Sequence, residues 1–196
     1  MRCMNVKAVV VNIDSALLKV DVSADEVAKR IKNSLGVEGG LESLVAEAYI
    51  KSSRGGREAE AIDGVVRELE LETASRASVD QEDLEALCTL KAIGVKVAAV
   101  TMRCRETAEV ALSRAGLQGF FDVLVTRDDE PDKVSQILLA CSKLECSARE
   151  VMYVGFSRAD ALAGIEAGCL TATPYRGLMA VRVSSLRELL DVYKFI

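Results

Sequence analysis

The sequence contains no histidine and no tryptophan, and only 4% of its residues are aromatic. Without a histidine, no base of the usual kind is available to activate Ser15, so a Ser-His-Asp hydrolase mechanism is excluded. Zinc sites built on histidine are excluded for the same reason. The six cysteines form no C-x-x-C pair, and a zinc site made of thiolates would need several distant segments to converge.

Long apolar runs are missing too. No stretch approaches the roughly 20 residues that span a bilayer, and the run Ala8–Val11 near Met1 is too short for a signal peptide. The net charge of -5 and the absence of a basic, aromatic-rich stripe argue against nucleic-acid binding. We therefore expect a cytoplasmic protein with no membrane or nucleic-acid partner, whose cysteines are free or buried thiols.

What the chain does contain, from residue 95 onward, is a regular alternation of short apolar runs and helical patterns. Alternation of this kind is typical of a parallel sheet covered by helices on both faces. The predicted fold class is therefore α/β, with a Rossmann-like parallel sheet. Its predicted strands are Val6–Ile13, Val95–Val100, Phe121–Val125, Val151–Val154 and Leu170–Thr173.

Residues 20–94 interrupt this rhythm. They show apolar residues at helical spacing and no strand pattern. The segment Ser23-Ala24-Asp25-Glu26 matches a capping box, and Asp80 is placed to cap the last helix of the block. We predict that residues 1–19 and 95–196 form the α/β core and that residues 20–94 form an all-helical cap inserted after the first strand.

Polar residues follow the predicted strands at the points where the strands end. Ligands of open parallel sheets bind at this carboxyl edge, so these residues form a candidate cleft under the cap. The residues at these points are Asn12, Asp14 and Ser15 after the first strand; Thr101, Met102 and Arg103 after the second; Thr126, Arg127, Asp128 and Asp129 after the third, with Lys133 on the following helix; and Gly155, Phe156, Ser157, Arg158 and Asp160 after the fourth.

Three of these segments resemble motifs of the haloacid dehalogenase superfamily, and within it the phosphoglycolate-phosphatase-like branch with a helical cap. VVVNIDSALL stands where the family has an apolar strand followed by D-x-D-G-T. VKVAAVTMR matches a strand that ends in Thr or Ser, here Thr101. VMYVGFSRADALAGIEAG has the length and rhythm of a strand followed by G-D-x-x-x-D and an alanine-rich helix. The resemblance covers nearly the whole chain.

The resemblance implies a phosphoryl-transfer site. In similar proteins the first Asp attacks phosphorus, and the Asp two residues later acts as acid and base. Mg²⁺ is held by the first Asp and by an Asp after the fourth strand. Carried onto this chain, the acid-base residue is Asp14, and the candidates for holding phosphate are Thr101, Met102 and Lys133. Asp160 is a candidate metal ligand whose alternative role is to cap the following helix.

Two positions depart from this pattern. The nucleophile position is Asn12, whose neutral amide is a poor nucleophile towards phosphorus. The metal position is Phe156, which carries no oxygen for a hard cation. The family lysine also lacks a match, because Glu130-Pro131 stands where relatives have K-P; Lys133 lies nearby on the next helix. Mg²⁺ is the cofactor that the resemblance implies, and these replacements predict weak binding or none.

Three functions remain open from the sequence. The leading hypothesis is a family member that has lost Mg²⁺-dependent phosphatase activity and keeps a binding, regulatory or scaffold role, with a small phosphate or another anion as ligand. The alternative is an active phosphomonoesterase that uses Asp14 and the remaining acids. The third is a scaffold whose helical cap carries a partner surface, for example in a homodimer.

Overall fold

The computed structural model describes residues 6–19, 29, 33 and 57–192. Apart from residues 29 and 33, the helices predicted between residues 23 and 55 lie outside the described residues, as does the capping box at Ser23. No helix in the described ranges is both long and apolar enough to cross a bilayer.

The strands form one parallel sheet and one short antiparallel pair. The sheet has the order β5-β4-β1-β6-β7-β8, and each neighbouring pair is parallel. This arrangement confirms the predicted α/β fold class. The strands are β1 (Ala8–Asn12), β2 (Leu18–Lys19), β3 (Ser78–Val79), β4 (Lys96–Val100), β5 (Val123–Val125), β6 (Val151–Val154), β7 (Leu170–Thr173) and β8 (Val181–Arg182).

Helices cover both faces of the sheet, as the strand–helix alternation predicts. One apolar cluster joins β1 to side chains such as Leu87, Leu112 and Leu189, and the other joins it to Ile137 and Ala163. The helices are α1 (Ile13–Ala16), α2 (Arg57–Ala74), α3 (Gln81–Ala92), α4 (Arg105–Arg114), α5 (Lys133–Lys143), α6 (Arg158–Glu166) and α7 (Leu186–Val192).

The position of β1 at the centre of the sheet explains why the first apolar run of the sequence is nearly continuous. All five of its residues are buried. Successive side chains point to opposite faces, so Val9 and Val11 join one cluster while Ala8 and Val10 join the other. A strand that is covered on both sides has no solvent-facing position for a polar residue.

The structure corrects two expectations for residues 20–94. Strand β3 lies inside the block predicted to have no strand, where it pairs antiparallel with β2; two residues are too few to produce a periodic signal. Asp80 precedes α3, but its side chain makes no capping hydrogen bond. The carboxylate forms an ion pair with Lys19 instead.

Helix α3 packs against β4 and α7, and its buried side chains Ala86, Leu87 and Leu90 belong to the core of the sheet. The boundary predicted at residue 94 stays a prediction. These contacts favour a core that begins earlier, near β3.

Candidate functional site

The candidate cleft lies where β1, β4 and β6 end side by side. Asn12 is paired with Val100 and Val11 with Val154, so the three strands end at nearly the same level. Asn12 is the last residue of β1, Thr101 follows β4, and Gly155 follows β6. Register therefore brings together side chains that are 87 and 145 residues apart in sequence.

Asp160, which is fully buried, is the centre of this cluster. Its Oδ1 accepts hydrogen bonds from Asn12 Nδ2 at 2.6 Å, Lys133 Nζ at 2.5 Å and Tyr153 Oη at 3.2 Å. Its Oδ2 accepts from Ser15 Oγ at 2.7 Å and from the hydroxyl and backbone N–H of Ser157. Both oxygens of the carboxylate are thus engaged by protein donors.

The surroundings of Asp160 hold it in its charged form. Burial acts to raise the pKa of Asp160, but the Lys133 ammonium and the Ser15 and Ser157 hydroxyls outweigh it, so the pKa lies below its ordinary value. Burial and the neighbouring Asp160 charge raise the pKa of Tyr153 well above its ordinary value, so this phenol remains a donor.

Asp160 also has a local role at the start of α6. Ser157 is the N-cap residue, and its hydroxyl accepts from the Asp160 N–H while the Asp160 carboxylate accepts from the Ser157 N–H. This is a reciprocal capping box. Asp160 therefore takes part in the cap of α6, with Ser157 rather than Asp160 at the cap position, while its role as a metal ligand stays a prediction.

Gly155 makes this placement of Asp160 possible. A Cβ atom added at Gly155 would lie 2.4 Å from the Asp160 Cβ, far inside van der Waals contact. The glycine between β6 and Phe156 is thus required by the close approach of α6 to the end of the strand.

Asp14 lies in a second set of contacts beside the first. Its carboxylate accepts from Thr101 Oγ1 at 2.5 Å and from Arg103 Nε at 2.6 Å. The Arg103 N–H in turn donates to Thr101 Oγ1 at 3.0 Å. The Asp14 side chain is 31% exposed, so it can still meet a ligand.

The other predicted residues take different places. The carbonyl oxygen of Met102 accepts a hydrogen bond from Arg127 Nη1, and its sulfur accepts one from Gln136 Nε2. Phe156 packs against the apolar cluster that contains Val9 and Val11, and its N–H donates to Ser15 Oγ at 3.1 Å.

The donor set at positions 12, 156 and 160 does not fit Mg²⁺. The Asn12 oxygen accepts from the Asp14 N–H, which turns the amide N–H group toward Asp160. Phe156 offers no oxygen, and a magnesium ion requires hard oxygen ligands in an octahedral arrangement. Within residues 6–19 and 57–192, no group of three or more Asp, Glu, Cys or His side chains could hold a metal ion.

Sequence reasoning placed Ser15, Arg103, Arg127 and Ser157 at strand ends but not their contacts, and it did not single out Glu70. Arg103 and Ser15 follow recognised strand ends, so their position in the sequence was a usable signal. Glu70 is buried on α2 and forms an ion pair with Arg127, 57 positions along the chain. No local sequence pattern predicts an ion pair between residues so far apart in the chain.

Comparison with known proteins finds sequence relatives and solved structures of the same fold. A PpaX pyrophosphatase from Bacillus velezensis is 38% identical over 92 residues, which is 45% of this chain and 42% of that protein. The chain thus matches less than half the length of that relative. A PpaX protein from Clostridium perfringens is 28% identical over 178 residues, covering 85% of this chain and 82% of its own.

A solved hydrolase of the haloacid dehalogenase-like family from Streptococcus pneumoniae superimposes with a TM-score of 0.71. Its sequence identity is 13%, and the match covers 96% of this chain and 99% of that one. The model of the haloacid dehalogenase-like hydrolase family matches residues 17–173 and so begins just after the segment that contains Asn12 and Asp14. Because this match covers most of the sequence, the chain belongs to the haloacid dehalogenase-like hydrolase family.

Proposed function

We propose that this protein is a family member without Mg²⁺-dependent aspartyl-phosphate chemistry, whose cleft serves a binding or regulatory role for a small anion. The observation that carries the proposal is the 2.6 Å hydrogen bond from Asn12 Nδ2 to Asp160 Oδ1. An amide that donates into this carboxylate is neither a nucleophile for phosphorus nor a ligand for a cation between the two residues.

The charges of the cleft support the same proposal. Asp14 is paired with Arg103, and Asp160 is paired with Lys133. In each pair the positive charge offsets the negative one, so these four charges are balanced without a metal ion. A carboxylate at position 12 or 156 would add negative charge that only a cation could offset, and neither carboxylate is present.

We propose that the anion binds the hydrogen-bond donors that already contact the carboxylates of Asp14 and Asp160. Thr101 Oγ1 and the Arg103 guanidinium lie against the partly exposed Asp14, and Lys133 is 23% exposed beside Asp160. A phosphate or carboxylate ligand would compete with Asp14 for Arg103, since charge-assisted hydrogen bonds to guanidinium are strong. Isothermal titration calorimetry with inorganic phosphate as the probe tests this proposed anion binding.

A reversion experiment tests the loss of catalysis. We expect the natural protein to show no Mg²⁺-dependent hydrolysis of phosphate esters or pyrophosphate above a no-protein control. The double variant Asn12→Asp/Phe156→Asp should gain measurable Mg²⁺-dependent turnover, because it restores both missing carboxylates. The single variants Asn12→Asp and Phe156→Asp are the matched controls and should stay inactive. Strong turnover by the natural protein would refute the proposal.

One observation favours a second function, hydrolysis of a phosphate ester or pyrophosphate with Asp14 as acid and base. Asp14 keeps the family's acid-base position and remains 31% exposed, and the sequence relatives carry pyrophosphatase names. If the natural protein is active, Asp14→Asn should abolish turnover while leaving the fold intact. Activity that survives Asp14→Asn would exclude this second function as well.

A further inference from the structure

Two buried cysteines, Cys141 and Cys169, face each other at the edge of the sheet opposite the cleft. Their Sγ atoms lie 4.0 Å apart, although the residues are 28 positions apart in sequence. Cys141 belongs to the last turn of α5, and Cys169 directly precedes β7. They are 4% and 9% exposed and pack in one apolar cluster with Ile137 and Ala163. We call Cys141 and Cys169 the thiol pair.

Backbone hydrogen bonds hold both members of the thiol pair at the ends of helices. The Cys169 N–H donates to the Gly164 carbonyl at 3.0 Å, after a left-handed turn at Gly168 with a φ of 79°. The Cys141 carbonyl accepts the Cys146 N–H at 3.0 Å. Both bonds belong to Schellman motifs, one closing α6 and the other closing α5. The distance between the two thiols is therefore set by ordered backbone on each side.

This distance is short enough for a disulfide after a small movement. A disulfide holds its sulfur atoms about 2.0 Å apart, so the two thiols would need to approach by about 2 Å. Rotation about the Cα–Cβ bonds moves Sγ atoms over distances of this order, so the backbone can keep its hydrogen bonds. Cys104 is similarly buried, but its thiol donates to Thr107 Oγ1 at 3.4 Å and does not face a second thiol.

The contact between the two sulfur atoms makes the thiols unequal. The Cys169 thiol, as the donor, favours the Cys141 thiolate and lowers the pKa of Cys141, although burial acts in the opposite direction. The same contact and burial raise the pKa of Cys169. Because the thiolate is the nucleophilic form of cysteine, Cys141 is the better nucleophile of the pair.

We propose that the thiol pair is an oxidation site for small hydroperoxides, and that its disulfide joins the end of α5 to the end of α6. The Cys141 sulfur attacks one peroxide oxygen and the O–O bond breaks. The second oxygen takes the Cys141 proton and leaves as water, or as an alcohol from an organic hydroperoxide, so Cys141 becomes a sulfenic acid.

The Cys169 sulfur then attacks the Cys141 sulfur. The S–S bond forms, the S–O bond breaks, and the departing hydroxide takes the Cys169 proton and leaves as water. Over both steps the two thiols lose two electrons and two protons, and one hydroperoxide is reduced. Cys169 thus protects the sulfenic acid from further, irreversible oxidation.

The disulfide would join the two helices that present an ion pair of the cleft. Lys133 is the first residue of α5, and Asp160 lies in the first turn of α6, so both helices run from the cleft to the thiol pair. A bond that closes the chain between residues 28 positions apart lowers the entropy of the unfolded state. Oxidation would therefore stabilise these helices without a change of any cleft residue.

Peptide mapping by mass spectrometry tests the proposal on the full chain. The reduced, folded protein is treated with hydrogen peroxide, and the remaining free thiols are then alkylated in denaturant. Trypsin separates Cys141 from Cys146, because Lys143 lies between them. We expect linked peptides that contain Cys141 and Cys169 and lack two hydrogens, a link that dithiothreitol reverses, while Cys104 is still alkylated. Cys88→Ser removes an exposed thiol and is the matched control, which should leave the link in place.

Thermal unfolding gives a second readout of the same disulfide. The oxidised protein should melt about 5 °C above the reduced protein, and Cys169→Ser should lose this difference. If Cys169→Ser does not fold, Cys169→Ala replaces it, and the peptide map needs only the natural chain.

Alkylation of both Cys141 and Cys169 after peroxide treatment would overturn the proposal, and so would a link from either residue to a different cysteine. Equal melting temperatures of the oxidised and reduced proteins would overturn the stabilising role of the disulfide. Neither readout uses the cleft or any activity, so this inference stands or fails independently of the proposed function.

Discussion

At the scale of single residues, the pair of Lys133 and Asp160 shows how protein donors hold a buried carboxylate in the cleft. Asp160 is fully buried and remains charged because Lys133 lies 2.5 Å away. Removing one partner of a buried ion pair leaves the other charge uncompensated, which costs far more than loss of an exposed pair. The same pair therefore makes the stability of the protein sensitive to pH.

We predict that Lys133→Met lowers the free energy of unfolding at pH 7 by about 2–3 kcal/mol. In the natural protein the pKa of Asp160 lies below 3.8, so its contribution is present above that pH and is lost as the pH falls through the lower folded value. Without Lys133 the folded pKa rises, and the loss should begin at higher pH. Urea unfolding between pH 3 and 7 measures both effects.

Lys143→Met is the control for this prediction, because Lys143 lies on the same helix. Its side chain is 43% exposed, and its ammonium lies 3.8 Å from Asp129. An exposed pair of this kind contributes about 0.5 kcal/mol or less. If both variants lost the same free energy of unfolding, the role assigned to Lys133 would be wrong. It would also be wrong if the loss of stability at low pH did not begin at a higher pH in Lys133→Met than in the natural protein.

The residues that sequence reasoning identified are those that lie next to a strand end. Asn12, Asp14, Thr101 and Phe156 stand at fixed offsets from apolar runs, so their common edge follows from the topology of a parallel sheet. Glu70 could not be found in this way. Its place depends on how α2 packs against α4, and nothing in the helical pattern distinguishes a buried glutamate from an exposed one.

At the scale of secondary structure, continuous apolar runs were sufficient to predict the five strands of three or more residues. The two-residue strands β2, β3 and β8 were missed, because pairing with a neighbour rather than side-chain pattern defines them. Asp132 caps α5, because its carboxylate accepts the Ser135 N–H, as a local pattern can indicate. The start of α7 differs, since one of its acceptors comes from another helix.

That acceptor is Asp83 on α3, whose carboxylate accepts the Leu186 and Arg187 N–H groups at the start of α7. Burial raises the pKa of Asp83 despite these two bonds. We predict that Asp83→Ala destabilises the protein by about 1–2 kcal/mol, the usual effect of losing an N-terminal acceptor. Hydrogen exchange should place the loss of protection in α7.

Asp80→Ala is the matched control for Asp83→Ala, three residues earlier in sequence. Asp80 is exposed, makes no side-chain capping bond and pairs with Lys19 at the surface. Its removal should change the free energy of unfolding by about 0.5 kcal/mol or less. A larger effect for Asp80→Ala than for Asp83→Ala would contradict the capping role of Asp83.

At the scale of the whole molecule, the chain has the family fold, with an amide at position 12 and a phenyl ring at position 156. The strand order places β1 between β4 and β6, so the ends of three strands converge on one point. Two ion pairs lie there, Arg103 with Asp14 and Lys133 with Asp160, together with the Asn12 amide. Because a fold does not determine the function of its site, we propose that the side chains at positions 12 and 156 decide whether a divalent cation is required.

Thermal unfolding with and without Mg²⁺ tests this idea on the intact protein. A ligand that binds only the folded state raises the melting temperature, and in a domain of this size about 1 kcal/mol corresponds to roughly 2–4 °C. For the natural protein we predict a shift below about 1 °C at roughly 10 mM MgCl₂ relative to NaCl of equal ionic strength. Its cleft is already neutral and its donors are engaged.

The Asn12→Asp/Phe156→Asp variant should behave in the opposite way. The carboxylate introduced at position 12 would replace the amide that donates to Asp160 at 2.6 Å. Two carboxylates would then face each other, so the variant should melt below the natural protein without metal. Mg²⁺ should then restore several degrees of stability, because it offsets this repulsion. A Mg²⁺-dependent rise of the same size in the natural protein would show that the unaltered cleft holds the cation, and that the amide and the phenyl ring do not prevent its binding.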